Sequence, residues 1–359
     1  MNKKSKIICI ISLIILILCF IGLTAFVIIE KSKEKDLSVD NDFEIEEVEI
    51  EKEEDVVVEE VKKVTIIDES STERPHAVMI NTHNAALPQC GLQEAYLVYE
   101  LMVEGGITRM MALYKDKNID KIGSVRSART QYLGYVYEND AIYVHAGGAK
   151  DALKRISNEG INDVDVDGMY GMRDTSLNRA WEHTLFTSTY LIKTAMNNRG
   201  FRNESNVPNL LTYQAESIDL SSYQSKIIAN NVSVEYSYYR TSQYSYDSEN
   251  KVYLRSMNGT SHTDLITGSQ YTFKNIIVYD VTYSTYSYGK KTGYQKIDNI
   301  GTGEGYYITE GYAIPIIWEK ANETSQTKYK IKETGTDLIV NDGNTFIQIY
   351  PKGKSLIIN

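Results

Sequence analysis

The sequence predicts an α/β (α+β) N-terminal domain followed by a β-rich C-terminal domain, with a transmembrane helix at the N-terminus. Three observations support this fold class. An uncharged apolar run opens the chain, and an acidic stretch follows it. Short apolar runs then alternate with helical spacing over residues 74–204, as in α/β folds. Over residues 205–359, tyrosine and serine alternate with period two, which is typical of strands with one packed face.

Residues 1–29 are predicted to anchor the protein in the cell membrane. Ile7 to Ile29 are 23 residues without a charge, enough to cross a hydrocarbon core of about 30 Å. Three lysines precede the run, so we expect a single pass with the bulk of the chain extracytoplasmic. Lipid attachment at Cys19 is the alternative, but the residue before it is Leu18 rather than a small one.

Residues 30–73 are predicted to be an acidic linker. They carry 6 basic and 18 acidic side chains, and such charge density favours a solvated, self-repelling chain. The alternative, suggested by the interleaved valines and isoleucines, is that this segment forms a strand or helix on a partner. Residues 74–359 are nearly neutral, so nothing indicates a nucleic-acid partner. Cys90 is the one cysteine after residue 29, which excludes an internal disulfide there.

The N-terminal domain opens with a predicted strand at 76–81 and a short helical turn at 91–95. A strand at 141–146, the pair Gly147-Gly148 and a helix ending at Gly160 follow. His145 would stand at the carboxyl end of its strand, where open α/β sheets hold ligands. We therefore take His145 as a candidate catalytic residue and the two glycines as candidate ligand contacts. A buried structural histidine is the alternative.

Between these strands, Gly105-Gly106 predicts a hairpin with a two-residue loop. That loop would pair Met102 with Arg109 and put Glu100, Glu104 and Arg109 on one face. Glu104 is then a candidate acid or base, and Arg109 a candidate ligand contact. A solvated salt bridge, worth about 0.2–1 kcal/mol, is the alternative.

The segment from Ser124 to Thr130 runs into apolar spacing that predicts a helix capped by Ser127. Arg126 and Arg129 would lie at its start, where the helix dipole disfavours positive charge. We therefore expect a negative group nearby. It could be a bound phosphate, sulfate or carboxylate, or an acid of the chain itself such as Glu100 or Glu104.

Farther along, Arg173 and His183 precede another helical pattern and are candidate ligand contacts. The histidines lack HExxH spacing, so neither a metal nor a cofactor is predicted. In the C-terminal domain, turn signals occur at Asn258-Gly259, Thr267-Gly268 and Asp342-Gly343. Its tyrosine stripes favour core packing, with a groove for sugars as the alternative.

The chain resembles the YerB-type family of bacterial lipoproteins, which have two domains of unknown function. The N-terminal matches are RPHAVMIN at 74, GLQEAYLVYELMVEGGITRMMALY at 91, IGSVRSAR at 122, DAIYVHAGG at 140, RD at 173 and RAWEHTLFTS at 179. The C-terminal matches are YLRSMNGTSHTDLITG at 253, KNIIVY, GYAIPIIWEK and NDGNTFIQIYP. The family has a proline-histidine-asparagine run where this chain has Trp181-Glu182-His183-Thr184, and a lipobox cysteine where this chain has Leu18-Cys19.

The resemblance implies no reaction, so catalysis stays open. The first interpretation is a membrane-anchored, extracytoplasmic cell-envelope protein that binds an anionic ligand, either a wall glycan or a phosphate-containing precursor. The alternative is a non-catalytic scaffold that docks other envelope proteins through its β-rich domain.

Overall fold

The computed structural model of the protein describes residues 62–359. The anchor expected at 1–29, and the linker up to residue 61, lie outside this range. Within it, no helix has the length and apolar character needed to cross a membrane.

Helices are few and short in the described part. They are α1 (Leu133–Glu138), α2 (Lys150–Glu159) and α3 (Thr189–Arg199). The predicted end of α2 is confirmed, because Gly160 follows it in the left-handed conformation, with φ of 66°. Single 3₁₀ turns occur at Asn84–Ala86, Leu92–Glu94, Glu104–Gly106, Thr130–Tyr132, Trp181–His183 and Leu220–Ser222.

Strands make up most of the fold, and those predicted at 76–81 and 141–146 are present. The first twelve are β1 (His76–Asn81), β2 (Leu97–Met102), β3 (Thr108–Tyr114), β4 (Ile122–Gly123), β5 (Ile142–His145), β6 (Asp163–Asp165), β7 (Met172–Arg173), β8 (Leu185–Thr187), β9 (Thr212–Gln214), β10 (Ile227–Ile228), β11 (Asn231–Ser237) and β12 (Arg240–Asp247). The others are β13 (Val252–Met257), β14 (Thr260–Ser261), β15 (Thr272–Phe273), β16 (Asn275–Tyr288), β17 (Lys291–Asp298), β18 (Gly301–Thr309), β19 (Tyr312–Lys320), β20 (Lys328–Ile331), β21 (Ile339–Asn341), β22 (Thr345–Pro351) and β23 (Leu356–Ile358).

One twelve-stranded sheet runs through both halves of the chain. Its order is β10-β19-β18-β16-β22-β2-β3-β1-β5-β6, with β17 paired to β16 and β20 paired to β19. Strand β22 lies between β2 and β16 and is parallel to both. All seven of its residues are buried, as expected for a strand covered on both faces. The β-rich character predicted for the second half is confirmed, but the expected boundary at 204/205 does not separate two sheets.

A second sheet, of order β14-β13-β12-β11-β23 with β15 on β13, packs against one face of the first. Its tyrosines Tyr236, Tyr244 and Tyr253 share a core with Val98 and Phe346 of the main sheet. Helices α1 and α2 cover the opposite face, where Tyr99 and Leu101 point. The main sheet is therefore buried on both sides, which explains its continuous apolar runs.

The folded part begins earlier in the chain than the linker prediction allows. The Asp342 carboxylate accepts hydrogen bonds from the amides of Thr65 and Ile66, both at 2.9 Å. Ile67 is 4 % exposed and belongs to the core. Within the predicted linker of residues 30–73, residues 65–67 therefore contact the folded part, because they bond to Asp342 and pack on the core.

A buried ion pair connects the two sheets. Arg255 on β13 donates to Glu100 on β2 at 2.8 Å, and both side chains are fully buried. Glu100 also accepts from Thr108, Ser242 and Gln348 at 2.6, 2.9 and 3.1 Å. Burial raises the pKa of Glu100, but Arg255 and these hydrogen bonds outweigh it and leave the pKa below its ordinary value. Glu100 is therefore a charged structural residue.

Removing the cation of this pair should destabilise the fold strongly. We expect Arg255→Met to lower the free energy of unfolding by about 3–5 kcal/mol, because Glu100 stays buried without a counter-charge. Urea denaturation measures the loss.

The matched control is Lys354→Met, which breaks the half-exposed Lys354–Glu235 pair on the second sheet. It should cost less than about 1 kcal/mol. Equal losses in the two variants would contradict the special role of the buried pair.

Candidate functional site

The hairpin at the start of the candidate site has a three-residue loop instead of the expected two. Val103 donates to the Ile107 carbonyl at 2.8 Å and so encloses Glu104-Gly105-Gly106. Both glycines adopt φ near +70°, which other residues rarely accept. The longer loop shifts the register by one residue, so that Arg109 pairs with Leu101.

This shift corrects the face assignment. Paired residues of an antiparallel ladder share a face, so Glu100 lies with Met110 and Arg109 lies with Leu101. Glu100 and Arg109 therefore point to opposite sides of the sheet, and the prediction that they share a face is wrong. This face assignment does not apply to Glu104, because Glu104 belongs to the loop and has no cross-strand partner in the ladder.

The arginine segment is extended at the point where a helix was predicted. The amide of Arg126 donates to the Met79 carbonyl, and the Arg126 carbonyl accepts from Ala146. Helical structure begins only with the 3₁₀ turn at Thr130–Tyr132. The cap at Ser127 is thus wrong, because these backbone groups are hydrogen-bonded to β1 and to the segment after β5. The helix-dipole argument does not apply to Arg126.

Glu104 and Arg129 form the centre of the observed cluster. The Arg129 Nε lies 2.8 Å from each Glu104 carboxylate oxygen. The side chains are 24 % and 14 % exposed, respectively. The internal acid proposed as one alternative is therefore present, and it is Glu104. Since Arg129 already binds its carboxylate, the geometry does not favour Glu104 as a free acid or base.

Arg109 lies beside this pair without a carboxylate of its own. It is 6 % exposed, and its Nη1 donates to the Ser127 carbonyl at 2.8 Å. Its Nε has no hydrogen-bond partner within residues 62–359. Burial, Arg129 and Arg126 lower its pKa to about 9 against the opposing effect of Glu104. Arg109 is therefore still protonated at neutral pH.

Arg126 and His183 form the outer part of the cluster. Arg126 donates to the Glu182 carboxylate at 3.2 Å. His183 contacts the Asn81 side chain at 2.9 Å and stacks on His83. Burial, and then the charge of Arg126, lower the pKa of His183. The structure thus brings His183 next to Arg126.

Arg173 is held away from these groups by local contacts. It donates to Asp167 at 2.7 Å and to the Trp181 carbonyl, and its guanidinium lies over the Trp181 ring. No contact within 62–359 joins it to Arg109, Arg126 or Arg129. Its predicted role as a ligand contact stays a prediction.

His145 is fully buried, with a contact at each ring nitrogen. Its Nδ1 lies 2.9 Å from the Gly147 carbonyl and its Nε2 3.1 Å from Asp163. The Gly147 amide donates to Asp165. These contacts favour the structural alternative over catalysis by His145, and they leave no free Gly147 amide for a ligand.

Gly148 permits a close approach of the backbone to α2, and its predicted role as a ligand contact stays a prediction. A Cβ there would lie 2.7 Å from the Leu153 side chain and 3.2 Å from that of Ala128. A larger residue would push α2 away from the arginine segment.

Two buried groups, one beside Glu100 and one near this cluster, gave no recognisable signal in the sequence. Arg240, which is 2 % exposed, has an Nε and an Nη1 without hydrogen-bond partners in the described part of the chain. Asp151 on α2 bonds to Tyr286, 135 residues away. Neither position lies in a motif, and only the tertiary fold determines the contacts of these two side chains. Within residues 62–359, no cluster of three histidine, cysteine or acidic side chains could hold a metal.

Comparisons with known proteins agree with this architecture. Residues 64–202 match the N-terminal domain model of a protein of unknown function (DUF3048), and residues 232–347 match its C-terminal domain model. The chain is 30 % identical to "Putative lipoprotein YerB" of Bacillus subtilis (strain 168) over 256 residues, 69 % of this chain and 74 % of the relative. The crystal structure of YerB protein from Bacillus subtilis is similar, with a TM-score of 0.67 and 27 % identity over 79 % of this chain and 94 % of that one.

Arg129 and Arg126 should differ in their effect on stability. We expect Arg129→Ala to cost about 1–3 kcal/mol, because Glu104 loses both of its hydrogen bonds in a partly buried site. Arg126→Ala should cost less than about 1 kcal/mol, because its partner is well exposed. Chemical denaturation of both variants checks the order, and a larger loss for Arg126→Ala would contradict it.

Proposed function

This chain belongs to the family of DUF3048 proteins, and from that premise we propose that it is a membrane-anchored, extracytoplasmic envelope protein that binds an anionic ligand. The ligand would be a wall glycan or a phosphate-containing precursor. The binding site would be the arginine cluster, defined as Arg109, Arg126 and Arg129.

The single observation that supports ligand binding is the imbalance of charge at Arg109. Three guanidinium groups lie close together, while the carboxylates of Glu104 and Glu182 contact Arg129 and Arg126. Arg109 forms no salt bridge within residues 62–359. A buried cation without a counter-charge is costly. A phosphate or carboxylate bound beside Arg126 would reduce that cost and use the planar guanidinium geometry.

Membrane attachment is supported by the apolar run at 7–29 and by the name of the Bacillus subtilis relative, a lipoprotein. The apolar run indicates a transmembrane helix, whereas the relative's name indicates a lipid anchor. A span of 23 uncharged residues binds a bilayer far more strongly than one acyl chain, so we favour the transmembrane helix.

Phosphate should stabilise the protein through Arg126. With phosphate at ten times its Kd, we expect a gain of about 1.4 kcal/mol in the free energy of unfolding. Thermal melts in phosphate and in chloride at equal ionic strength measure it. Arg126→Ala should abolish the gain while the protein stays folded.

The matched control is Arg199→Ala, which removes the same charge at the end of α3. It should keep the stabilisation by phosphate. If phosphate has no effect on the wild type, or if both variants respond alike, the arginine cluster is not the anion site and the scaffold alternative is favoured.

The anchor is tested separately by mass spectrometry of the membrane fraction. We expect a mature chain that retains the apolar segment 7–29. Recovery of a chain that begins at a lipid-modified Cys19 would contradict the transmembrane anchor.

A further inference from the structure

A cavity of about 500 Å³ lies between α2 and the hairpin of β16 and β17. This volume falls within the range of about 300–1,000 Å³ that is typical of small-molecule sites. Thr130 and Gln131 contribute to its wall and directly follow Arg129, so the cavity adjoins the arginine cluster. Helix α2 contributes four polar residues at helical spacing, which places them on one face: Asp151, Lys154, Arg155 and Asn158.

Asp151 supplies an unused hydrogen-bond acceptor in this cavity. The residue is 8 % exposed, and its Oδ2 accepts from the Tyr286 hydroxyl. Its Oδ1 has no partner among the described residues. A buried carboxylate oxygen without a donor is unfavourable. A ligand hydroxyl or amide could supply the missing donor.

Two tyrosines provide an amphipathic surface beside Asp151. Tyr286 and Tyr288, both on β16, line the cavity together. Burial, and then the bond to Asp151, raise the pKa of Tyr286 to about 12. Tyr286 therefore stays protonated at neutral pH and keeps donating to Oδ2. Rings with one polar end suit ligands that present both C–H and O–H groups.

Two lysines on the cavity wall have no carboxylate partner in the part of the chain that the structure describes, whereas the arginine has two. Arg155 forms salt bridges with Glu159 at 2.6 Å and with Glu323 at 3.0 Å. Lys154 and Lys296 also line the cavity, and neither forms a salt bridge within residues 62–359. Two ammonium groups without a salt-bridge partner among the described residues thus line the cavity, where an anionic group of a ligand could contact both.

We propose that this cavity binds a saccharide unit that carries a carboxylate or phosphate group. A sugar hydroxyl would donate to Asp151 Oδ1, the ring would pack on the tyrosines, and the anionic group would contact Lys154 and Lys296. The inference rests on the proposed function, because it takes the ligand of this region to be a glycan. It adds the site for the sugar ring, which the arginine cluster does not provide.

Calorimetric titration of the full-length protein in detergent tests this site with two probes. N-acetylmuramic acid carries a carboxylate, and N-acetylglucosamine is its neutral counterpart. The acidic sugar should bind more tightly, and Lys296→Ala should weaken its binding about tenfold through loss of one charge-assisted contact. The matched control is Lys291→Ala, on the same strand but outside the cavity, which should leave the Kd unchanged.

Asp151→Asn keeps an oxygen that can accept from Tyr286 but removes the second carboxylate oxygen. It should weaken both sugars, while thermal melting confirms that the variant is folded. If Asp151→Asn fails to fold, the comparison of Lys296→Ala with Lys291→Ala still tests whether the cavity binds the acidic sugar. Absence of binding by both sugars, or equal weakening in the two lysine variants, would overturn the inference.

Arg126→Ala separates this inference from the proposed function. It should abolish stabilisation by phosphate but leave sugar binding intact. Sugar binding that persists when phosphate has no effect would support the cavity and reject the arginine site. Stabilisation by phosphate without any binding of sugar would reject the cavity alone.

Discussion

The buried pair of Glu100 and Arg255 is the constraint on which the rest of the structure depends. A carboxylate and a guanidinium that are both removed from water must stay together, since either alone would be costly. Their strands belong to different sheets and to different halves of the chain. A second buried pair, Glu138 with Lys320 at 2.6 Å, connects α1 to the end of β19 in the same way. The two family domains are thereby parts of one unit.

The elements of the N-terminal half could be predicted because their signals are local. The strand at 76–81 and the helix closed by Gly160 follow from periodicity and capping. The register of the hairpin could not be predicted, because Gly105-Gly106 fits a loop of two or of three residues equally well. One added residue moved Glu100 into the core between the sheets and turned Arg109 toward α1. Which loop forms depends on packing that the sequence does not display.

The helix predicted at Ser127 was wrong for a related reason. Its capping and spacing signals are real, but the amide of Arg126 and the carbonyl of Ala128 are taken by neighbouring chain segments. Tertiary hydrogen bonds outweigh a weak local preference. For the same reason, the sequence does not reveal contacts between distant segments. Examples are the position of β22 between β2 and β16 and the hydrogen bond between Asp151 and Tyr286. Periodicity identifies a buried strand but not its neighbours.

The candidate site follows from these constraints. Because Glu100 is committed to Arg255, Glu104 is the acidic residue of the hairpin that remains for the arginines, and it binds Arg129. Arg109 is then left on the α1 side with a carbonyl as its partner and a lowered pKa. At this end of the sheet Arg109 has no salt bridge among the described residues, and between the sheets the buried Arg240 likewise has none beside the Glu100–Arg255 pair. The same register that stabilises the core therefore leaves Arg109, on the opposite side of the sheet, with a backbone carbonyl as its hydrogen-bond partner.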